Sequence, residues 1–268
     1  MAIITMTTDF GLSDGYVGAM KGVILSIAPD VTIVDITHDI QPHAISQAAF
    51  VVASAAPYFP EDTIHLIVVD PGVGSERRPL VLETKKAAFV APDNGVLTLV
   101  LQHLEDTRTD YRLFHLTRRK YWLDEISRTF HGRDIFAPVA AHLANGVAAS
   151  KLGKEIDDPV RLNLPRPQPL PTGGFRGRVI YVDRFGNLVT NIPAALLGDR
   201  NGWCVEISGH LIPRLSQAYA DVPRGHVLAL IGSTNMLEIA VREGSAALML
   251  GLGEGAEVLV TPMASKGS

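Results

Sequence analysis

The sequence predicts an α/β protein in two parts, an N-terminal parallel-sheet α/β sandwich followed by a smaller C-terminal all-β, barrel-like domain. Three observations predict it. Short β-branched runs alternate with helical stretches over the first half of the chain, the pattern of parallel strands joined by helical crossovers. Four prolines fall between Leu164 and Pro171, a composition that favours an extended, semi-rigid spacer. Beyond them lie short β-like runs broken by Gly and Asn, with helix signals nearly gone. The expected boundaries are 1–163 for the α/β domain, 164–172 for the proline-rich linker and 173–268 for the β domain.

Each element follows from its residues. Ile3 to Thr8, Val31 to Thr37 and Thr63 to Val69 are β-branched runs next to turn signals, as buried strands are. Between them, Tyr16 to Ala28 and Ala44 to Phe59 read as helices rich in small apolar residues. Further strands are expected at Leu80 to Glu83 and Ala88 to Ala91, then a helix from Val96 to Leu104, then a late helix from Asp134 to Ala144 with Asp134 as its cap. In the second domain the expected strands are Phe175 to Val182, Leu188 to Ile192, Trp203 to Ile207, Val227 to Ile231, Leu237 to Val241 and Glu257 to Thr261.

Composition narrows the function. With 47% hydrophobic and 19% charged residues, the 268-residue chain is neither disordered, collagenous nor a coiled coil. Its 24 Gly and 17 Pro point to many tight connections. A formal charge of -4, with no cation cluster larger than Arg118-Arg119-Lys120 and pairs such as Arg77-Arg78, argues against a nucleic-acid partner. Cys204 is the one cysteine, so neither an intramolecular disulfide nor a thiolate zinc site can be built. No apolar run approaches the roughly 20 residues of a membrane helix, and the N-terminus meets Asp9 without the basic start of a signal peptide, so no membrane partner and a cytoplasmic location are expected.

In open parallel sheets ligands bind beyond the carboxyl ends of the strands. Asp9 follows the first strand, with Asp14 five residues on; His38 and Asp39 follow the second, Asp70 the third, and Asp93 and Asn94 a later one. Asp and Asn also cap helices and form turns, but all of these converge on one sheet edge. The segment Asp70-Pro71-Gly72-Val73-Gly74 is a side-chain-poor turn followed at once by Arg77 and Arg78; its carboxylate can orient a partner and an arginine can hold an anion, unless the three only form a salt-bridged turn. His131, in Phe130-His131-Gly132-Arg133-Asp134, has the side chain best suited to proton transfer. In the second domain Asp183, Phe185 and Asn187 offer a carboxylate, an aromatic face and an amide, which suit an amine-bearing nucleoside, in a stretch that also reads as a hairpin turn; Gly232-Ser233-Thr234-Asn235 is a second polar loop. No metal signature, Walker loop or dinucleotide fingerprint is present.

Thr8-Asp9-Phe10-Gly11, Asp70-Pro71-Gly72-Val73-Gly74 with Arg77, Ala91-Pro92-Asp93-Asn94-Gly95, Phe130-His131-Gly132-Arg133-Asp134 and Asp183-Arg184-Phe185-Gly186-Asn187 together resemble, over nearly the whole chain, the S-adenosyl-L-methionine hydroxide adenosyltransferases, relatives of the fluorinases and chlorinases. The resemblance implies attack of water or hydroxide on the 5′ carbon of S-adenosylmethionine, releasing adenosine and L-methionine. It implies a water-activating set of Asp70, Arg77 and His131, with Arg78 an adjacent candidate. It implies a substrate-binding set in which Asp9 holds the ribose diol, Asp14, Asp183 and Ser233 lie near the methionine, and Phe185 and Asn187 lie near the adenine, with Asn94 among the binding residues. No cofactor and no metal are implied. The implied assembly is a homotrimer whose sites join the first domain of one subunit to the second domain of the next.

The reaction suits these residues. A neutral thioether leaves a sulfonium, so no general acid is required, and the difficulty lies in activating water, whose own pKa is about 15.7. Two departures from the halogenating relatives favour hydrolysis. Asp70 would repel a halide, and Lys85-Lys86 runs straight into Ala87-Ala88-Phe89 without the Gly-rich insertion of the fluorinases. A third departure, Gly232-Ser233-Thr234-Asn235, alters the loop expected near the methionine. The alternatives are a nucleoside hydrolase, which would need adjacent carboxylates for calcium that are absent between Asp9 and Asp14, a non-catalytic S-adenosylmethionine or adenosine sensor, and an S-adenosylmethionine-dependent halogenase.

Overall fold

The computed structural model describes residues 2–198 and 202–263, so the outermost residues of the two expected domains lie outside it. The chain forms two units, residues 1–162 and 163–268.

In the first unit, β1 (Ile3–Thr8), α1 (Tyr16–Ile27), β2 (Thr32–Thr37), α2 (Ile45–Ala55), β3 (Thr63–Val68), β4 (Pro79–Thr84), β5 (Ala87–Pro92), α3 (Thr98–Asp106), β6 (Tyr111–Leu116), α4 (Ala137–Ala144) and β7 (Gly153–Ile156) follow in order. They build one seven-stranded sheet in the order β2-β1-β3-β5-β4-β6-β7. The segment β2-β1-β3-β5 is parallel, as expected, whereas β4, β6 and β7 are antiparallel. The reason lies in Lys85-Lys86, because a two-residue connection can close a hairpin but cannot make the long crossover a parallel pair needs.

The central strand β3 is buried along its full length. Ile64, Leu66 and Val68 pack on the face covered by α1 and α4, while Ile67 joins the α2 and α3 side. This alternation makes a three-layer sandwich and explains why β3 carries apolar side chains on both of its faces. Two helices differ from the sequence expectation. The stretch Ala44 to Phe59 ends as a regular helix at Ala55 and continues as a short 3-10 turn over Ala56–Tyr58, because Pro57 has no amide hydrogen to donate. The late helix begins as a π-helical turn over Gly132–Phe136 before α4. Asp134 is not its cap. It is fully buried and accepts the Ser127 amide at 2.8 Å and Arg133 Nε at 2.6 Å, tying the loop ahead of His131 to the helix.

The second unit consists of β8 (Gln168–Pro169), β9 (Phe175–Val182), β10 (Leu188–Pro193), β11 (Trp203–Ile207), β12 (His210–Ile212), β13 (Leu215–Ser216), β14 (Val227–Ile231), β15 (Met236–Val241), the single-turn helix α5 (Ala246–Leu250) and β16 (Glu257–Pro262). Eight strands run β12-β11-β16-β9-β10-β15-β14-β13, and β8 pairs with β9. The sheet curls so that β12 touches β14 and β11 touches β13, nearly closing a barrel around Val179, Leu188, Val205, Ile239 and Val258. The proline-rich stretch belongs to this unit. Its Gln168 and Pro169 add a short edge to β9, and the Pro165 carbonyl accepts Asn191 Nδ2 at 2.6 Å.

Candidate active site

A cavity of about 300 Å³ opens at the carboxyl edge of the parallel strands. Asp9 and Phe10 reach it from the end of β1, Pro42 and His43 from the loop after β2, Val68, Asp70 and Val73 from the end of β3, and Thr129, Phe130, His131 and Gly132 from the segment ahead of α4. A larger hollow of about 540 Å³ lies at the opposite edge, beside the starts of β1, β3 and β5, and contains none of the predicted site residues. Size does not pick out the chemistry; the convergence of polar groups does.

The turn after β3 is folded for one purpose. Its backbone closes with Val73 N donating to Asp70 O at 3.1 Å and Ser75 N to Gly72 O at 3.1 Å. Gly74 has φ +76, and a Cβ there would stand 2.5 Å from the Arg128 carbonyl oxygen, so only glycine lets the turn press against the loop leading to His131. The chain therefore doubles back, and Arg77 reaches Asp70. Its Nε donates to both carboxylate oxygens at 2.9 Å, and its Nη2 donates to His131 Nδ1 at 2.7 Å. The Arg77 and Asp70 side chains are only 8% and 5% exposed, and the guanidinium carbon lies 5.1 Å from the centre of the Phe136 ring. Asp70 and His131 line the cavity; Arg77 sits behind them and joins them.

The direction of this last hydrogen bond is decided by chemistry. An arginine has donors only, so His131 Nδ1 must accept and the neutral ring carries its proton on Nε2, the edge left for the cavity. Burial, and then the Arg77 charge, push the His131 pKa below its ordinary value, with Asp70 and Asp134 pulling weakly the other way. The ring is neutral at pH 7. Arg78, the other arginine of the pair, is turned away from this set. It bonds Asp93 through Nε at 2.7 Å and Asp158 through Nη1 at 2.7 Å.

The remaining predicted residues divide. Asp9 lies at the cavity and accepts the His43 amide on Oδ2 at 2.9 Å. Asn94 does not line it; its Nδ2 donates to the Val69 carbonyl at 2.8 Å, holding the end of β3 just before Asp70. Asp14 is exposed ahead of α1 and is not part of the wall. In the second unit Asp183 carries the β9–β10 turn, accepting Phe185 N at 2.9 Å and Asn187 N at 2.8 Å on Oδ1 and Asn187 Nδ2 at 2.9 Å on Oδ2. Gly186, at φ +83, is required there because a Cβ would collide with Ser245. The turn buries Asn187 and leaves the Phe185 ring 76% exposed, while Ser233 is exposed in the β14–β15 turn.

Sequence reading missed Tyr16, Pro42, His43 and Val73 as wall residues. Tyr16 completes an aromatic group, its ring 5.7 Å from Phe10 and 5.2 Å from Phe130, which are 5.9 Å from each other. The one signal for His43 was its position in the loop after β2, the loop that also contains His38 and Asp39; its backbone lies at φ +69, in the left-handed region. Among the described residues no three His, Cys, Asp or Glu side chains converge as a metal site requires, and no helix is long and apolar enough to cross a membrane.

Comparison with known proteins gives a consistent set of relatives. The family model of the SAM hydroxide adenosyltransferase N-terminal domain matches residues 4–153, and that of the C-terminal domain matches residues 177–259. A Thermus thermophilus protein named (R)-S-adenosyl-L-methionine hydrolase is 39% identical over 263 residues, covering 96% of this chain and 99% of its own length. A fluorinase from Actinopolyspora mzabensis is more distant, 28% identical over 294 residues and covering 97% of each chain. The crystal structure of an uncharacterized conserved protein from Thermotoga maritima matches with a TM-score of 0.86 at 36% identity, over 97% of this chain and 100% of that one.

Proposed function

Because the chain belongs to the SAM hydroxide adenosyltransferase family, we infer that it hydrolyses S-adenosyl-L-methionine at the 5′ carbon to adenosine and L-methionine. The observation that carries this reading is the Asp70–Arg77–His131 set, two of whose members face the cavity while the third orients both. A water in the cavity accepts a hydrogen bond from His131 Nε2–H and donates one to Asp70, whose carboxylate has about four acceptor positions. As its oxygen bonds to C5′, the C5′–S bond breaks and its electron pair stays on sulfur as a neutral thioether. The water's proton passes to Asp70 and then to solvent. General-base assistance of this kind is typically worth about 10²–10⁴ in rate, and alignment of the water with the leaving sulfur supplies more. Aromatic faces at Phe10, Tyr16 and Phe130 suit the sulfonium charge of the substrate.

His131 is thus the donor that holds the water, and Arg77 acts through its two partners rather than on the nucleophile. The negative Asp70 disfavours a halide in the same place. We read the enzyme as independent of metal and cofactor, as cytoplasmic on its single Cys204, and as a homotrimer in which Asp183, Phe185, Asn187 and Ser233 of a neighbouring subunit cover the cavity together with Asp9 and Asp14. The exposed Phe185 ring supports that last point. If so, mixing Asp70→Ala with Asn187→Ala protein restores activity after subunit exchange, and a fully active monomer contradicts it.

Incubation of chelator-treated protein with S-adenosylmethionine and excess chloride in ¹⁸O-labelled water tests the reaction. Adenosine labelled at the 5′ oxygen is the expected product. Unlabelled adenosine, a 5′-chlorinated nucleoside, or activity that returns only with a divalent ion would each overturn part of the reading.

A further inference from the structure

His38 follows β2, does not line the cavity and is 4% exposed, yet it joins the two loops that carry Asp9 and His43. Thr8, at the end of β1 and fully buried, accepts the Phe10 amide on Oγ1 at 3.3 Å, and the same oxygen lies 2.8 Å from His38 Nδ1. The Asp35 carboxylate can only accept, and its Oδ1 lies 3.1 Å from His38 Nε2, so in the neutral ring the hydrogen sits on Nε2 and Nδ1 accepts from the Thr8 hydroxyl. The Asp35 contact is off the line of a straight hydrogen bond, since Nε2 has no aligned acceptor, so its attraction is electrostatic rather than directional. Asp35 Oδ2 in turn accepts Lys21 Nζ at 2.6 Å from α1, the helix that the Asp9 loop leads into. The backbone fastens the same two loops, with Gly11 N donating to His38 O at 2.8 Å and Ile40 N to Thr8 O at 3.4 Å. A register shift between Met6 and Thr7 in the β1–β2 pair brings this region together.

We propose that the buried relay Thr8–His38–Asp35–Lys21 is a positioning device for the nucleoside end of the substrate, setting the loop on which Asp9 and Phe10 stand. Four polar side chains run inward from a half-exposed ion pair to a hydroxyl directly before Asp9. A packing role alone would be met by apolar residues, which need no directed hydrogen at Thr8 Oγ1. A one-residue displacement of the loop would move the Asp9 carboxylate and break its bond to the His43 amide. The relay thereby acts on discrimination of the ribose, while Asp70 and His131, which stand on other segments, keep their geometry.

The proposal rests on the functional reading above and on the ribose-diol role that the family resemblance implies for Asp9, and its test separates the proposal from that reading. Calorimetric affinities of the full chain for adenosine and 2′-deoxyadenosine are compared in the parent, Thr8→Val, His38→Phe, His38→Asn and Asp35→Asn. The parent should prefer adenosine. Thr8→Val and His38→Phe should each reduce that preference about fivefold, the effect of one misplaced hydrogen bond. His38→Asn, which returns an acceptor near the place of Nδ1, should restore it, and the half-exposed Asp35→Asn, which spares the core, should lower it in the same direction. A residue that only stabilised the fold would lower the melting temperature and leave the ratio unchanged. An unchanged ratio in Asp35→Asn, together with one in whichever of Thr8→Val and His38→Phe folds, overturns the proposal. A parent that binds neither nucleoside overturns the functional reading, and the relay with it.

Discussion

Arg77→Lys tests the central joint of the site, because it keeps the charge and removes the geometry. The guanidinium meets Asp70 through Nε and Nη2, and Nη2 also donates to His131 Nδ1 at 2.7 Å, two partners on different segments. A lysine ammonium is one point of charge on a flexible stem and will settle on the carboxylate. Asp70 then keeps a counter-charge, so the penalty of about 3–5 kcal/mol for stranding a buried ion is avoided and the protein folds. What is lost is the bond to His131 Nδ1. A hydrogen bond to a charged group contributes about 1.5–3 kcal/mol, which is about 10- to 150-fold in rate if it is expressed in the transition state. Without it the ring can exchange tautomers and offer a bare Nε2 in place of a donor. The assay is adenosine release at saturating S-adenosylmethionine, with adenosine affinity measured alongside; turnover should fall by that factor and adenosine affinity by less than twofold. Arg78→Lys is the control, since Arg78 is held by Asp93 and Asp158 away from the cavity, and its turnover should stay near the parent's. Turnover of Arg77→Lys within twofold of the parent, or an equal fall in Arg78→Lys, would refute the argument.

Acid pH should act through two histidines with separate readouts. His131 works as the neutral ring and its pKa is lowered by burial and by Arg77, so kcat/KM should be level at neutral pH and fall only below 6.5, as the ring takes a proton; a midpoint at or above 6.5 contradicts this. Burial holds the His65 pKa at about 4, against 6.5 for an exposed histidine. The unfolded chain therefore takes this proton first, and the stability it governs is complete above 6.5 and is lost as pH falls toward 4. Between pH 7 and 4.5 the gap of about two pH units corresponds to about 2–3 kcal/mol, so a His65→Phe variant should lose that much less stability than the parent in urea unfolding at the two pH values. Equal losses would show that the ring is not held neutral. For Asp70→Asn, the amide would turn an N–H toward the Arg77 donors, so turnover should drop by about 10²–10⁴ while adenosine affinity changes by less than about 1 kcal/mol; loss of binding with turnover intact would make Asp70 a ligand anchor instead.

Local chemistry made most of the fold legible in the sequence. Four of the six residues of Thr63–Val68 are apolar because both faces of that strand are covered, and Asp9, Asp70 and His131 sit where parallel strands end or a helix begins. Those signals depend on a few neighbouring residues, and the chain displays them without folding. The antiparallel half of the first sheet was not read from the sequence: the short Lys85-Lys86 connection reads there only as a missing insertion, and β6 and β7, which were not expected, find their partners at long range. Asp134 illustrates the limit from the other side: its position before a helix suggests a cap, but its actual partner, Ser127 N, is supplied by a loop that propensity does not locate.

Tertiary structure alone sends the two adjacent arginines to different carboxylates, where the family resemblance implied Arg77 with Arg78 beside it as a candidate. Arg77 and Arg78 are equivalent by composition, and they are separated only when the glycine turn at Gly72–Gly74 folds back and sends one guanidinium to Asp70 and the other to Asp93. It also decided the tautomer of His131, the left-handed backbone of His43 and the burial of His38 among Thr8, Asp35 and Lys21. Each of these depends on at least one pair of groups far apart in the chain, 54 positions for Arg77 and His131, 34 for Asp9 and His43 and 30 for Thr8 and His38, coming within hydrogen-bond distance. Sequence sets residue type and local bias, whereas the direction of a hydrogen bond and the protonation of a ring are set by whichever distant group the packed chain brings beside them.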